Sequence, residues 1–169
     1  MIKGENEFMT DVLFYQNYTY VADISAIVLC IICWLLLHSS YAVREKSLVI
    51  FKAGTVCLMM ATVCSISFHT AIARITESRK VFIYVLQDGI YLFLILTFVL
   101  LCNYFGALLK LEERPARLLS AVSWGGYAVF AFLETGSPFT HLGFYIDADL
   151  MVHQNFYFEP FRFAYIYYC

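Results

Sequence analysis

"VFIYVLQDGIYLFLILTFVLLCNYFGALL", Val81 to Leu109, decides the fold. Asp88 is its only charged residue, and no proline interrupts it. A bilayer-spanning helix needs roughly 20 consecutive apolar residues. This run is long enough to cross and to tilt or protrude as well.

Three more runs of the same kind flank it. The first extends from about Thr19 to His38, the second from about Val49 to Ala73, and the fourth from about Ala116 to Leu133. The expected fold is therefore all-α, a polytopic membrane helical bundle. Composition agrees: 62% of the 169 residues are hydrophobic and only 14% charged, with mean hydropathy +0.72. A soluble domain of this size has too little interior to hide that much apolar surface, so lipid is the expected solvent. A net charge of −2 gives no reason to expect nucleic acid as a partner.

The amino end, Met1 to Tyr18, is read as a tail and not as a secretory signal. Lys3 is followed by Glu5, Glu7 and Asp11, with no compact apolar stretch before a small-residue cleavage site. Cys30, Cys33, Cys57, Cys64 and Cys102 lie inside the apolar runs, where cysteine behaves as a small hydrophobe.

Basic residues set topology. With the amino terminus outside the cytoplasmic membrane, Arg44, Lys46 and Lys52 face the cytoplasm, as do Lys110, Arg114 and Arg117. Arg74, Arg79 and Lys80 then sit outside, against the trend.

After the fourth run, Gly136, Ser137 and Pro138 break the helix. In the extracytoplasmic loop that follows, 134–160, Phe144-Tyr145-Ile146 and Leu150-Met151-Val152 flank Asp147-Ala148-Asp149. That pattern reads as a two-stranded hairpin or as an irregular aromatic loop at headgroup level. Beyond Pro160, "FRFAYIYYC" has the makings of a fifth helix. At 1.5 Å per residue it reaches only about 14 Å, roughly half the hydrocarbon thickness. It is expected at the outer interface, with its tyrosines among the headgroups.

Ionisable residues inside spans are costly, and they normally face the bundle interior and pair. Asp23, His69 and Asp88 all fall toward the outer side. Tyr84, Asp88 and Tyr91 share a helix face at i, i+4, i+7. Asp23, His69, Tyr84, Asp88 and Tyr91 are thus the candidates for ligand or proton sensing. The alternative is a satisfied structural network of the same groups. For helix packing the candidates are the small residues Ala53, Cys57, Ala61 and Ser65 in the second span, and Ala121 and Gly125 in the fourth.

Cys30 and Cys33 have redox spacing but aliphatic surroundings, which favours packing. His38, His69, His141 and His153 show no zinc spacing. Phosphate-cradling and nucleophile motifs are lacking. Neither catalysis nor a cofactor or metal is expected of this chain.

Taken together, "NYTYVADISAIVLCIICWLLLHSS", "FKAGTVCLMMATVCSISFHT", "VFIYVLQDGIYLFLILTFVLLCNY" and "SPFTHLGFYIDADLMVHQNFYFEP" resemble the amino-terminal membrane region of bacterial GGDEF (diguanylate cyclase) signalling proteins. They are also similar to the seven-helix input region of some sensor histidine kinases. The resemblance implies a sensory input module that perceives a small-molecule or peptide stimulus. It would pass a conformational bias to a cytoplasmic domain making cyclic di-GMP or transferring phosphate, and by analogy it would form a homodimer. No "GGDEF" string is present, so the segment is expected to be a truncated front end. A small proton-coupled transporter and a purely structural membrane partner are the rival readings.

Overall fold

The computed structural model describes residues 3–39, 46–141, 144–147, 150, 152–154 and 166–168. Four long helices dominate: α1 (Lys3–Ser39), α2 (Lys46–Ile72), α3 (Lys80–Leu108) and α4 (Glu113–Thr135). A 3₁₀ turn (Glu77–Arg79) leads into α3, and the short α5 (Ser137–Thr140) follows α4. All four long helices are long and apolar enough to cross a membrane. The fold class is the expected all-α helical bundle.

α1 begins at Lys3, so the stretch read as an amino tail continues the helix of the first span. No proline lies between Lys3 and Ser39 to end it. Its apolar window, Tyr20–His38, matches the expected span.

The helices pack in chain order. α2 and α3 form the most extensive pair, α1 lies against α2, and α4 lies against α3. Small residues permit the α2–α3 approach: a Cβ placed on Gly89 would stand 3.0 Å from the Cys64 sulfur. At the far end of that pair, Phe51 and Tyr104 meet with ring centroids 5.3 Å apart. α1 buries little. Val21, Leu29 and Leu36 are more than 60% exposed, on a helix that needs lipid or a partner to cover it.

Polar side chains within the spans turn back onto their own helices. Thr55 donates to the Phe51 carbonyl (3.1 Å), Thr97 to that of Phe93 (2.9 Å), Asn103 to that of Val99 (2.8 Å) and Ser123 to that of Leu119 (2.6 Å). Such i to i−4 bonds satisfy hydroxyls and amides that lipid would leave bare.

The loop after α4 does form a hairpin. β1 (Phe144–Ile146) pairs antiparallel with β2 (Val152–Gln154), with Phe144 opposite Gln154 and Ile146 opposite Val152. The second strand starts at Val152, two residues later than expected. Leu150 adopts a left-handed conformation (φ 60°) and packs against the core. That use of Leu150 takes it out of the strand.

Phe144 and Ile146 point inward and form a core with Ala71, Ile83 and Leu86. This core ties the hairpin to the adjoining ends of α2 and α3. Further bonds hold it: the Ile146 N–H donates to the Tyr84 hydroxyl (2.7 Å), Lys80 Nζ to the Asp147 carbonyl (2.8 Å), and Ser137 Oγ to the Phe144 carbonyl (3.2 Å). An isolated two-stranded hairpin is marginal in water. Here the helices supply what it lacks.

Most of the expected fifth helix lies outside the described residues, but residues 166–168 are helical. They rest against the middle of α4, not at a headgroup interface. Tyr167 donates to the Val122 carbonyl (2.9 Å) and Tyr168 to the Ser123 carbonyl (2.6 Å). The Tyr168 ring stacks on Phe98 of α3 (6.2 Å) and joins the Ile95–Phe130 cluster. Phenols at such depth must find acceptors, and these two find helix carbonyls.

Candidate functional site: a polar cavity beneath the hairpin

Where α2, α3 and the hairpin meet, a cavity of about 280 Å³ is lined by Ser65, Phe68, His69, Ile72, Gln87, Ile90, Tyr91 and Phe144. α2 contributes Ser65, Phe68, His69 and Ile72, which recur at helical spacing along one side of that helix. α3 contributes Gln87, Ile90 and Tyr91 by the same logic. Phe144 closes the hairpin side, with its ring edge-on to Phe68 (5.6 Å) and to Tyr84 (5.8 Å).

Of the five sensing candidates, the cavity takes two, His69 and Tyr91. The His69 ring is packed edge-on by Tyr20 of α1 (5.8 Å) and by Phe68 (5.7 Å). Asp23 stands one layer behind, where its carboxylate accepts a 2.7 Å hydrogen bond from the Ser65 hydroxyl. A charge-assisted bond of this kind contributes roughly 1.5–3 kcal/mol. It links α1 to a residue of the cavity wall. Tyr20 also reaches Thr70 at 3.4 Å, so two polar contacts join α1 and α2 at this end.

Tyr84 serves the hairpin, through Ile146, and does not line the cavity. Asp88 does not line it either. The shared face expected for Tyr84, Asp88 and Tyr91 divides because i, i+4, i+7 positions still spread over about 60° of the helix. Asp88 shares the stripe of Ile95, one i+7 step away, which packs on Phe130 of α4. It is half-buried, and among the described residues none donates a hydrogen bond to its carboxylate.

The small-residue row of α2 behaves as its drift of about 40° per step requires. Ala61 is buried, Ala53 is exposed at one end, and Ser65 has turned toward Asp23. Cys57 is half-buried between these extremes. Ala121 and Gly125 lie on an exposed side of α4, and nothing approaches within 4 Å of a Cβ placed on Gly125. The neighbouring Gly126 meets the Tyr167 ring instead.

One residue of the site escapes a search for charged groups. Gln87 is only 5% exposed, and among the described residues nothing hydrogen-bonds its amide. Among the described residues no fully buried side-chain nitrogen or oxygen lacks a partner, so the Gln87 amide is reachable and not sealed off. Its signal in the sequence is a neutral amide next to Asp88 in an otherwise apolar run. Glu134, 2% exposed at the end of α4, is a buried acidic residue outside this lining. Among the described residues no group of three or more histidine, cysteine or acidic side chains is arranged to hold a metal ion. Comparison with known protein families, characterised proteins and solved structures finds no match.

Proposed function

We propose that this chain is the membrane-embedded sensory input module of a signal-transduction protein. The observation that carries the reading is the cavity itself: it joins α2, α3 and the hairpin around His69, Gln87 and Tyr91. A stimulus seated there would touch three elements at once, and α1 as well through Ser65–Asp23 and Tyr20–His69. The mechanism is a population shift between two helix packings, which works only if the stimulus binds one of them better. In this reading the hairpin end is extracytoplasmic. Arg114 and Arg117 at the opposite end support that orientation. The open Ala121–Gly125 side of α4 would serve a homodimer, and the output would be diguanylate cyclase or kinase activity, as the sequence resemblance implies.

The test is to fill the cavity by mutation. Ile90→Trp adds a large ring where the stimulus would sit. Spin labels on the far ends of α1 and α3, in lipid nanodiscs, should then report a shifted distance distribution. An unchanged single distance would remove the sensory reading. Proton or solute flux in proteoliposomes, abolished by Asp88→Asn, would favour a transporter instead.

A further inference from the structure

From the lining of this cavity we infer that its ligand is a small, uncharged, planar molecule with a hydrogen-bond donor and acceptor side by side, as in a primary amide, lactam or imide. The inference rests on the cavity being a ligand site, and it names the chemistry of what binds.

Gln87 carries the argument. Its carboxamide offers a carbonyl acceptor and an NH₂ donor next to each other. The residue lines the cavity and is only 5% exposed, and among the described residues its amide has no hydrogen-bond partner and is not sealed off. The complement of one carboxamide is another group of the same pattern, which completes two parallel hydrogen bonds. A ligand able only to accept, or only to donate, would leave one function of Gln87 bare. Sites built around such a group reject the analogue that lacks its partner far more strongly than they reject a missing methylene.

The remaining lining sets the body of the ligand. Phe68 and Phe144 present aromatic surface, and Ile72 and Ile90 aliphatic surface, which suits a flat apolar ring. The Ser65 hydroxyl spends its proton on Asp23, so it faces a ligand as an acceptor. Among the described residues no carboxylate, lysine or arginine lines the cavity. With His69 and Tyr91, the titratable groups of the described lining, both neutral, a charged ligand would enter a membrane-embedded site with no counter-ion on its wall, which is unfavourable. The volume of about 280 Å³ lies just below the usual range for ligand pockets, about 300–1,000 Å³, so the ligand is small.

Four probes of one size separate the alternatives: benzamide, acetophenone, benzoate and benzylammonium. Binding is measured by saturation-transfer NMR on the protein in nanodiscs of neutral lipid, with empty nanodiscs subtracted. The expected result is benzamide binding at least about tenfold tighter than acetophenone, which keeps the acceptor but loses the donor. Neither charged probe should compete. Gln87→Leu should erase the difference between benzamide and acetophenone. Should that variant fail to fold, the selectivity of the wild-type protein remains the deciding measurement. Equal binding of benzamide and acetophenone, preference for a charged probe, or no binding by any probe would each overturn the inference. Selective benzamide binding with no change in the α1–α3 distance would leave the ligand class standing and remove the sensory reading. A distance shift in Ile90→Trp without benzamide binding would do the reverse.

Discussion

One phenol serves both backbone groups of one strand residue: the Tyr84 hydroxyl accepts the Ile146 N–H at 2.7 Å and reaches the Ile146 carbonyl at 3.5 Å. A side chain of α3 thus plays the part of a third strand at the edge of the hairpin. Phe144, on the same strand, closes the cavity, so the fit of this wall depends on Tyr84.

Tyr84→Phe keeps the ring against Phe144 and removes the hydroxyl. The Ile146 amide then loses its acceptor, at a cost of about 1–2 kcal/mol to the docked hairpin. Hydrogen–deuterium exchange should show faster exchange at Ile146 and its strand neighbours, roughly tenfold or more, with the helix amides unchanged. Unaltered exchange at Ile146 would contradict the role given to this hydroxyl.

The Ser65–Asp23 bond predicts a coupled pair. Ser65→Ala and Asp23→Ala should each weaken the attachment of α1 to α2, and the double variant should cost less than the sum. A double-mutant cycle by denaturant unfolding in mixed micelles should return a coupling of about 1.5–3 kcal/mol. Additive effects would mean that the two groups do not meet.

Gly89 predicts a steric pair. Its missing side chain admits the Cys64 sulfur, and Gly89→Val would press a branched side chain into α2. Overpacking of this kind costs about 1–3 kcal/mol. Cys64→Ala in the same chain should recover most of that loss in the same unfolding measurement. Failure of the rescue would place the close approach elsewhere.

The two tyrosines near the carboxyl end predict separable terms. Tyr168→Phe removes the bond to the Ser123 carbonyl but keeps the stack on Phe98. It should cost about 0.5–1.5 kcal/mol. Tyr168→Ala also empties the space between Phe98 and Phe130, and should cost about 3–5 kcal/mol. Thermal unfolding in one detergent ranks the two variants. Equal losses would mean that the ring contributes nothing beyond its hydroxyl.

Apolar length made the spans legible, because a bilayer imposes it on every crossing helix. The expected ends of α2, α3 and α4 fall within a few residues of those observed. The apolar triplets flanking Asp147-Ala148-Asp149 left a hairpin and an irregular loop both open, and they hid the start of the second strand, since Leu150 is apolar whether it packs as a strand or in a turn. At the site, His69 was singled out by the cost of ionisable groups in lipid and Tyr91 by its helical spacing from Asp88. Gln87 was not, because a neutral amide carries no charge to draw notice. The direction of Asp88 was also hidden: helix periodicity gives a face, while the neighbour on that face depends on tertiary packing. Ala121 and Gly125 show the same limit, as small size permits a close approach without requiring one.

The chain-ordered packing of the four long helices bears on how the protein is made. Each span after the first packs against the span synthesised just before it. The order of insertion into a membrane is therefore also the order of assembly, and no helix must wait in lipid for a distant mate. Low contact order of this kind favours fast folding. The hairpin, which locks α2 to α3 from one end, is added only after all four helices are in place.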